Sequence, residues 1–252
     1  MKIARFSHEG NIRFGIVDED DVVVLKADPM FAGLETIDER IPLADVKLLA
    51  PVIPRSKVVA MARNYRDHAA ELGNEVPPEP LMFLKPNTSV IGPGDTIVLP
   101  AQSENVAFEG ELAVVIGAIA KNVAAADAES VIFGFTIAND VTARDLQDRD
   151  GQWARAKGFD TFCPVGPVIE TEFAAMSQHI VTTVNGQVKQ DGPVSDMIHS
   201  ISETIAFVSS VFTLLPGDLI LTGTPAGVGP IVSGDTVDVT IEGIGTLSNH
   251  VR

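Results

Sequence analysis

The segment Phe108-Glu109-Gly110-Glu111-Leu112 sets two carboxylates two residues apart, directly before the apolar run Ala113-Val114-Val115-Ile116. In a strand, residues i and i+2 share a face, so Glu109 and Glu111 are expected side by side at the head of a buried element. Like charges in that position repel each other and resist desolvation. A divalent cation between them removes both problems. Asp140 follows the apolar segment Ile132–Ala138 at its expected strand end and is the candidate third carboxylate. Three carboxylates without a histidine or cysteine cluster make a hard, all-oxygen site suited to Mg²⁺ or Mn²⁺. A Glu-x-Glu pair alone is common on solvated faces and does not decide the matter.

Asn64–Gly73 reads as a short helix, with Asn64 or Asp67 near its cap and Gly73 at its end. His68 and Glu71 are three residues apart and share a helix face. A carboxylate beside an imidazole raises its basicity and fixes its orientation, which is the arrangement of a general base. The loop Glu75–Pro80 that follows would let this helix act as a lid. Lys85, in the strand-like run Met82–Lys85, and Lys157 are candidate positive charges for an anionic substrate. Thr222–Gly229 is a glycine-rich loop after a strand. It matches neither nucleotide-binding pattern, which leaves a substrate-lining role.

The elements that must carry these groups are mostly strands. Ile12–Val17 and Asp21–Leu25 flank an acidic turn, and residues 1–50 read as a small β-rich region. The proline-punctuated stretch Leu48–Pro54 connects it to a catalytic domain over 51–252. Gly94-Asp95, Gly217-Asp218 and Gly234-Asp235 each open a β-type run and read as turn chemistry. Helices are few. Ser200 and Glu203 form a possible capping box for a helix to Leu215, and a second helix is expected over Ala124–Ile132.

Composition narrows the function classes. The 252 residues carry a formal net charge of −16, which repels phosphate backbones and argues against nucleic acid as a partner. The same charge repels small anions, so an anion site needs local cations or a metal. The longest apolar stretch, Ile205–Leu215, is about half a bilayer-spanning length. The first ten residues hold no apolar run of a secretory signal. Cys163 is the single cysteine, so no intrachain disulfide forms, and a soluble cytoplasmic protein is expected.

Taken in order, Arg63–His68, Phe83–Pro86, Phe108–Leu112, Asn139–Asp145, Lys157–Thr161, Pro216–Gly229 and Ile244–Asn249 resemble the fumarylacetoacetate hydrolase family. The resemblance covers roughly residues 50–252. It implies a β-rich α+β fold, a roll of mixed sheets with few short helices, and a homodimer. It places metal ligands on Glu109, Glu111 and Asp140, and catalytic groups on His68, Glu71 and Lys157. Arg63, Lys85, Gln147 and Thr224 fall where members line the substrate pocket. The implied substrate is a small 2-oxo carboxylate. The implied activity is Mg²⁺-dependent hydrolysis of the C3–C4 bond of an acylpyruvate. Oxaloacetate decarboxylation and hydroxymuconate-type isomerisation share the same enolate chemistry and remain alternatives. A catalytically silent ligand-binding protein on this fold is the alternative from a different class.

Overall fold

The computed structural model describes residues 1–174 and 177–252. Its largest sheet has twelve strands. Ten of them run along the main path as Thr36–Pro42, Asp21–Leu25, Asn11–Asp18, Lys2–His8, Cys163–Glu170, Ile132–Asn139, Gly110–Ile116, Leu219–Leu221, Val58–Ala62 and Leu81–Lys85, and Lys47–Leu49 and Val90–Ile91 pair off it. Most pairs are antiparallel, but Leu219–Leu221 runs parallel to Val58–Ala62. A five-stranded sheet, Gln187–Pro193, His179–Val184, Thr236–Ile241, Gly245–Val251 and Thr96–Ile97, packs against it. This is the expected β-rich, mixed-sheet architecture. Residues 1–50 supply five strands of the large sheet, with Lys47–Leu49 paired to Lys2–His8, and Lys2 and Ile3 pair with Glu170 and Ile169 across the join.

The apolar pattern explains the layers. Every residue of Gly110–Ile116 is buried, as expected for a central strand covered on both faces. Leu112 packs with Ile180, Val237 and Val239 of the facing sheet. Val114 and Ile116 pack with Ile205 and Val208 of the helix Ile201–Val211. That helix starts as its sequence predicts: Ser200 Oγ accepts from Glu203 N, and Ser200 N donates to Glu203 Oε2 at 2.8 Å. It ends at Val211 rather than Leu215. Phe212 is extended, and Leu214 is taken into a β-bridge with Ala120. The expected second helix is a 3₁₀ segment, Ala125–Val131, because the chain must straighten into the strand at Ile132. Among the described residues no helix is long and apolar enough to cross a membrane.

The three Gly-Asp turns share one device. The carboxylates of Asp95, Asp218 and Asp235 accept from the N–H of Gly92, Leu215 and Val232, each three residues earlier. Asp218 is fully buried and also accepts from Lys57 N at 3.0 Å and Lys57 Nζ at 2.6 Å. It therefore ties the start of Val58–Ala62 to the start of Leu219–Leu221. Asp218→Ala is expected to destabilise the protein by about 3 kcal/mol, because it strands an ammonium and buried N–H donors. Chemical denaturation reads this directly, and an unchanged midpoint would rule the tie out.

Candidate active site

The two glutamates do not share one regular strand face. Val106–Phe108 belongs to a three-stranded sheet with Thr142–Ala143 and Gly229–Pro230, whereas Gly110–Ile116 belongs to the large sheet. Glu109 sits where the chain changes sheets. Its N–H donates to Asn139 Oδ1, and its carbonyl accepts from Asp140 N at 2.8 Å. This crossing brings Asp140, at the end of Ile132–Asn139, onto the glutamates. One carboxylate oxygen from each of Glu109, Glu111 and Asp140 lies within 4.8 Å of the others, and all three residues are buried.

Cations surround the cluster unevenly. Lys157 Nζ, on the short helix Ala154–Gly158, donates to Glu109 Oε2 at 2.8 Å and Asp140 Oδ2 at 2.7 Å. Arg144 Nη2 donates to Glu109 Oε1 at 2.5 Å. Lys85 Nζ donates to Asp140 Oδ1 at 2.5 Å. Glu111 makes no ion pair among the described residues and accepts from Gly223 N at 2.7 Å. Burial pushes Glu111 well above the usual carboxylate range, and the Asp140 and Glu109 charges add to it. Burial alone would also raise Glu109, but the Lys157 ammonium and the Arg144 guanidinium hold it well below that range. Burial opposes charge on Lys157, yet the Asp140 and Glu109 carboxylates raise it, so it stays an ammonium. The donor set fits a divalent cation: three buried hard oxygen donors, one making no ion pair among the described residues.

His68 of the dyad faces the same cleft. His68 Nδ1 is 2.8 Å from Glu71 Oε1 on the helix Arg66–Glu71, and Glu71 Oε2 accepts from Gly227 N at 2.9 Å. The expected side-chain cap is absent. Tyr65 is the N-cap residue, and the Asn64 amide instead bonds His199 O and Thr222 O while accepting from His199 N. The helix is thereby docked on the glycine-rich loop. That loop acts through its backbone: Gly223 N–H orients Glu111, and Gly227 N–H orients Glu71. Gly223 takes φ +98°, where an added Cβ would lie 2.9 Å from Asn64 Cβ. Gly227 takes φ +101°, where it would lie 2.1 Å from Lys189 O. Only glycine fits either place without strain.

Several of these groups line a cleft of about 460 Å³. Arg63, His68, Glu109, Glu111, Gln147, Lys157 and Thr224 all reach it. Arg63 holds a left-handed backbone, φ 54°, an uncommon state for a non-glycine residue that concentrates at functional sites. Thr224 Oγ1 donates to Gly110 O and accepts from Gln190 Nε2. Three expected site residues lie outside that lining: Glu71, Asp140 and Lys85. The Lys85 ammonium is buried behind Asp140 and also donates to Lys157 O. Here it fixes the Asp140 carboxylate. The sequence assigns no role to Arg144, Asn139 or Gln190, and it gives the loop of Gly223 and Gly227 only a substrate-lining one. Arg144 lies four residues past Asp140, inside the segment that carried the resemblance, which is the one signal that pointed to it.

A buried carboxylate triad that could hold a metal lies beside a His–Glu dyad at the junction of mixed sheets. Residues 57–252 match the fumarylacetoacetate (FAA) hydrolase C-terminal family, and residues 1–51 match the Rv2993c-like N-terminal family. The chain therefore belongs to the fumarylacetoacetate hydrolase family. It is 59% identical to Protein Rv2993c of Mycobacterium tuberculosis, covering all of this chain and 98% of that one. It is 45% identical to the human mitochondrial oxaloacetate tautomerase FAHD2A, over 84% of this chain and 71% of that protein. The 5-carboxymethyl-2-hydroxymuconate delta-isomerase structure from Mycobacterium smegmatis superposes with TM-score 0.93 at 48% identity, covering 100% and 99% of the two chains. A maleylpyruvate hydrolase from Sphingobium, in complex with manganese(II) and pyruvate, gives TM-score 0.82 at 33% identity, covering 100% and 98%.

Proposed function

We propose that this enzyme is a Mg²⁺-dependent acylpyruvate hydrolase, with Mn²⁺ an acceptable substitute, acting in the cytoplasm as a homodimer. The observation that carries the reading is the His68–Glu71 dyad, anchored to Gly227, with His68 facing a cleft that Glu109 and Glu111 of the carboxylate triad also line. A divalent cation on Glu109, Glu111 and Asp140 would supply Lewis-acid stabilisation of the developing enolate. The chain's own residues do the rest. Glu71 accepts from His68 Nδ1, leaving Nε2 as the base that takes a proton from water. The water oxygen adds to the C4 carbonyl. The C3–C4 bond then breaks, and its electron pair passes to C3 as the pyruvate enolate. Lys157, held as an ammonium, supplies fixed positive charge beside that enolate, and a proton delivered to C3 completes pyruvate. Arg63, the cleft-lining Arg or Lys without an ion pair among the described residues, is placed to receive the 2-oxo acid carboxylate.

A second reading, oxaloacetate tautomerase, is favoured by the 45% identity to the human enzyme of that name. It uses the same dyad only to move a proton. Release of pyruvate and acetate from acetylpyruvate, with Mg²⁺ and with EDTA, separates the two. Oxaloacetate is followed in parallel for enol–keto exchange and for decarboxylation. Metal-dependent acetate release is the expected result. Rapid enol–keto exchange with no acetate would replace the hydrolase reading by the tautomerase one.

A further inference from the structure

We propose that the outer wall of the cleft is a subsite for an uncharged aromatic acyl group, so that the preferred substrate is a monoanionic aroylpyruvate and not a dicarboxylate. This rests on the acylpyruvate reading above.

The wall begins beside the triad. The Phe83 ring centroid lies 5.1 Å from Lys157 Nζ, the ammonium that bonds Glu109 and Asp140. Trp153 packs edge-on against Phe83, with centroids 5.5 Å apart and planes at 76°. Trp153 also precedes Lys157 by one turn, since Lys157 N donates to Trp153 O at 2.9 Å. Both rings line the cleft beside the ammonium. Leu72, at the end of the dyad helix, Val228 of the glycine-rich loop and Pro230 of the strand that follows it extend the apolar lining. A cleft of about 460 Å³ is far larger than an acetyl tail needs.

Charge points the same way. Two of the cleft's cations are committed, Lys157 to Glu109 and Asp140, and Arg144 to Glu109. Arg63 alone is free among the described residues, and one free cation matches one carboxylate, that of the 2-oxo acid head. A carboxylate on the tail would find Asp148 in the lining and no unpaired ammonium or guanidinium. An aromatic ring has no such cost, and it gains edge or face contact with Phe83 and Trp153.

The test compares substrates with one head and different tails. Benzoylpyruvate is expected to be hydrolysed to benzoate and pyruvate with a higher kcat/KM than acetylpyruvate. Trp153→Ala should lower the benzoyl-to-acetyl ratio of kcat/KM by at least about tenfold, the scale of a lost apolar pocket contact. Trp153→Phe should restore most of it. Trp153 is the single tryptophan in the chain, so its emission reports occupancy without turnover. A saturable emission change with benzoylpyruvate, and none with acetylpyruvate or oxaloacetate, is expected in the His68→Ala protein. If neither acylpyruvate is hydrolysed, the hydrolase reading fails while this emission titration still decides the subsite. A ratio indifferent to Trp153, an equal emission response to all three ligands, or none to any, would overturn the aromatic subsite.

Discussion

His68→Ala lowers acetylpyruvate hydrolysis by about 10²–10⁴-fold, the usual contribution of a positioned base, while cation affinity stays near that of the unaltered protein. The two readouts separate because His68 is no member of the carboxylate triad, and its ring is fixed by Glu71 instead. Glu71 Oε1 holds Nδ1 at 2.8 Å, and Gly227 N holds the other Glu71 oxygen at 2.9 Å. Glu71→Gln keeps the shape of that link but removes the charge that stabilises an imidazolium, so a smaller loss in the same direction is expected. Oxaloacetate decarboxylation needs only carbon dioxide loss and enolate stabilisation, and His68→Ala should spare it more. Steady-state rates on both substrates, with metal content measured in each variant, give the ratio. If hydrolysis survives at normal metal content, His68 is not the base.

What could be read from the sequence was local in character. His68 and Glu71 are one helical turn apart, so their pairing follows from spacing alone. Ser200 and Glu203 are likewise a short-range pair, and the capping box forms as expected. Glu109 and Glu111 converge with Asp140 for a reason their spacing does not contain. The chain leaves a three-stranded sheet after Phe108 and enters the large one at Gly110. That switch depends on pairing with Thr142–Ala143 and Gly229–Pro230, segments far along the chain. Lys85 shows the same limit. A lysine in an apolar strand offers charge, but its direction is set by Asp140, 55 residues later. Gln190 holds Gly110 N across 80 residues and Thr224 across 34. The early end of the helix at Val211 also reflects a distant partner, Ala120.

Glu111→Gln should move stability and function in opposite directions. Without a cation, Glu111 is the member of the triad with no ion pair among the described residues, and it faces the Asp140 and Glu109 charges in a buried place. Glutamine has the same shape and keeps a carbonyl oxygen to accept from Gly223 N. Glutamine therefore avoids the cost of either charging or protonating a carboxylate in that place, and the cation-free variant should be as stable as the original protein or more so. Cation affinity and turnover should both fall by at least about 100-fold, since even partners of a ligand are worth 10–100-fold. Proton release supplies the sign. Burial and its neighbours raise Glu111, so the cation-free site favours its protonated form, and binding must expel that proton. Affinity in the original protein then rises with pH through the titration of Glu111, and this pH dependence flattens in Glu111→Gln. Asp140→Ala makes the contrast. It strands the buried Lys85 ammonium and takes one of two partners from Lys157, so it should cost about 3–5 kcal/mol of stability as well as the metal. Calorimetric titration with Mg²⁺ in two buffers of different ionisation heat, run beside thermal unfolding in EDTA, measures all of these. A Glu111→Gln protein that is less stable without metal, or that binds Mg²⁺ as before, would mean that Glu111 is already compensated and is not a ligand.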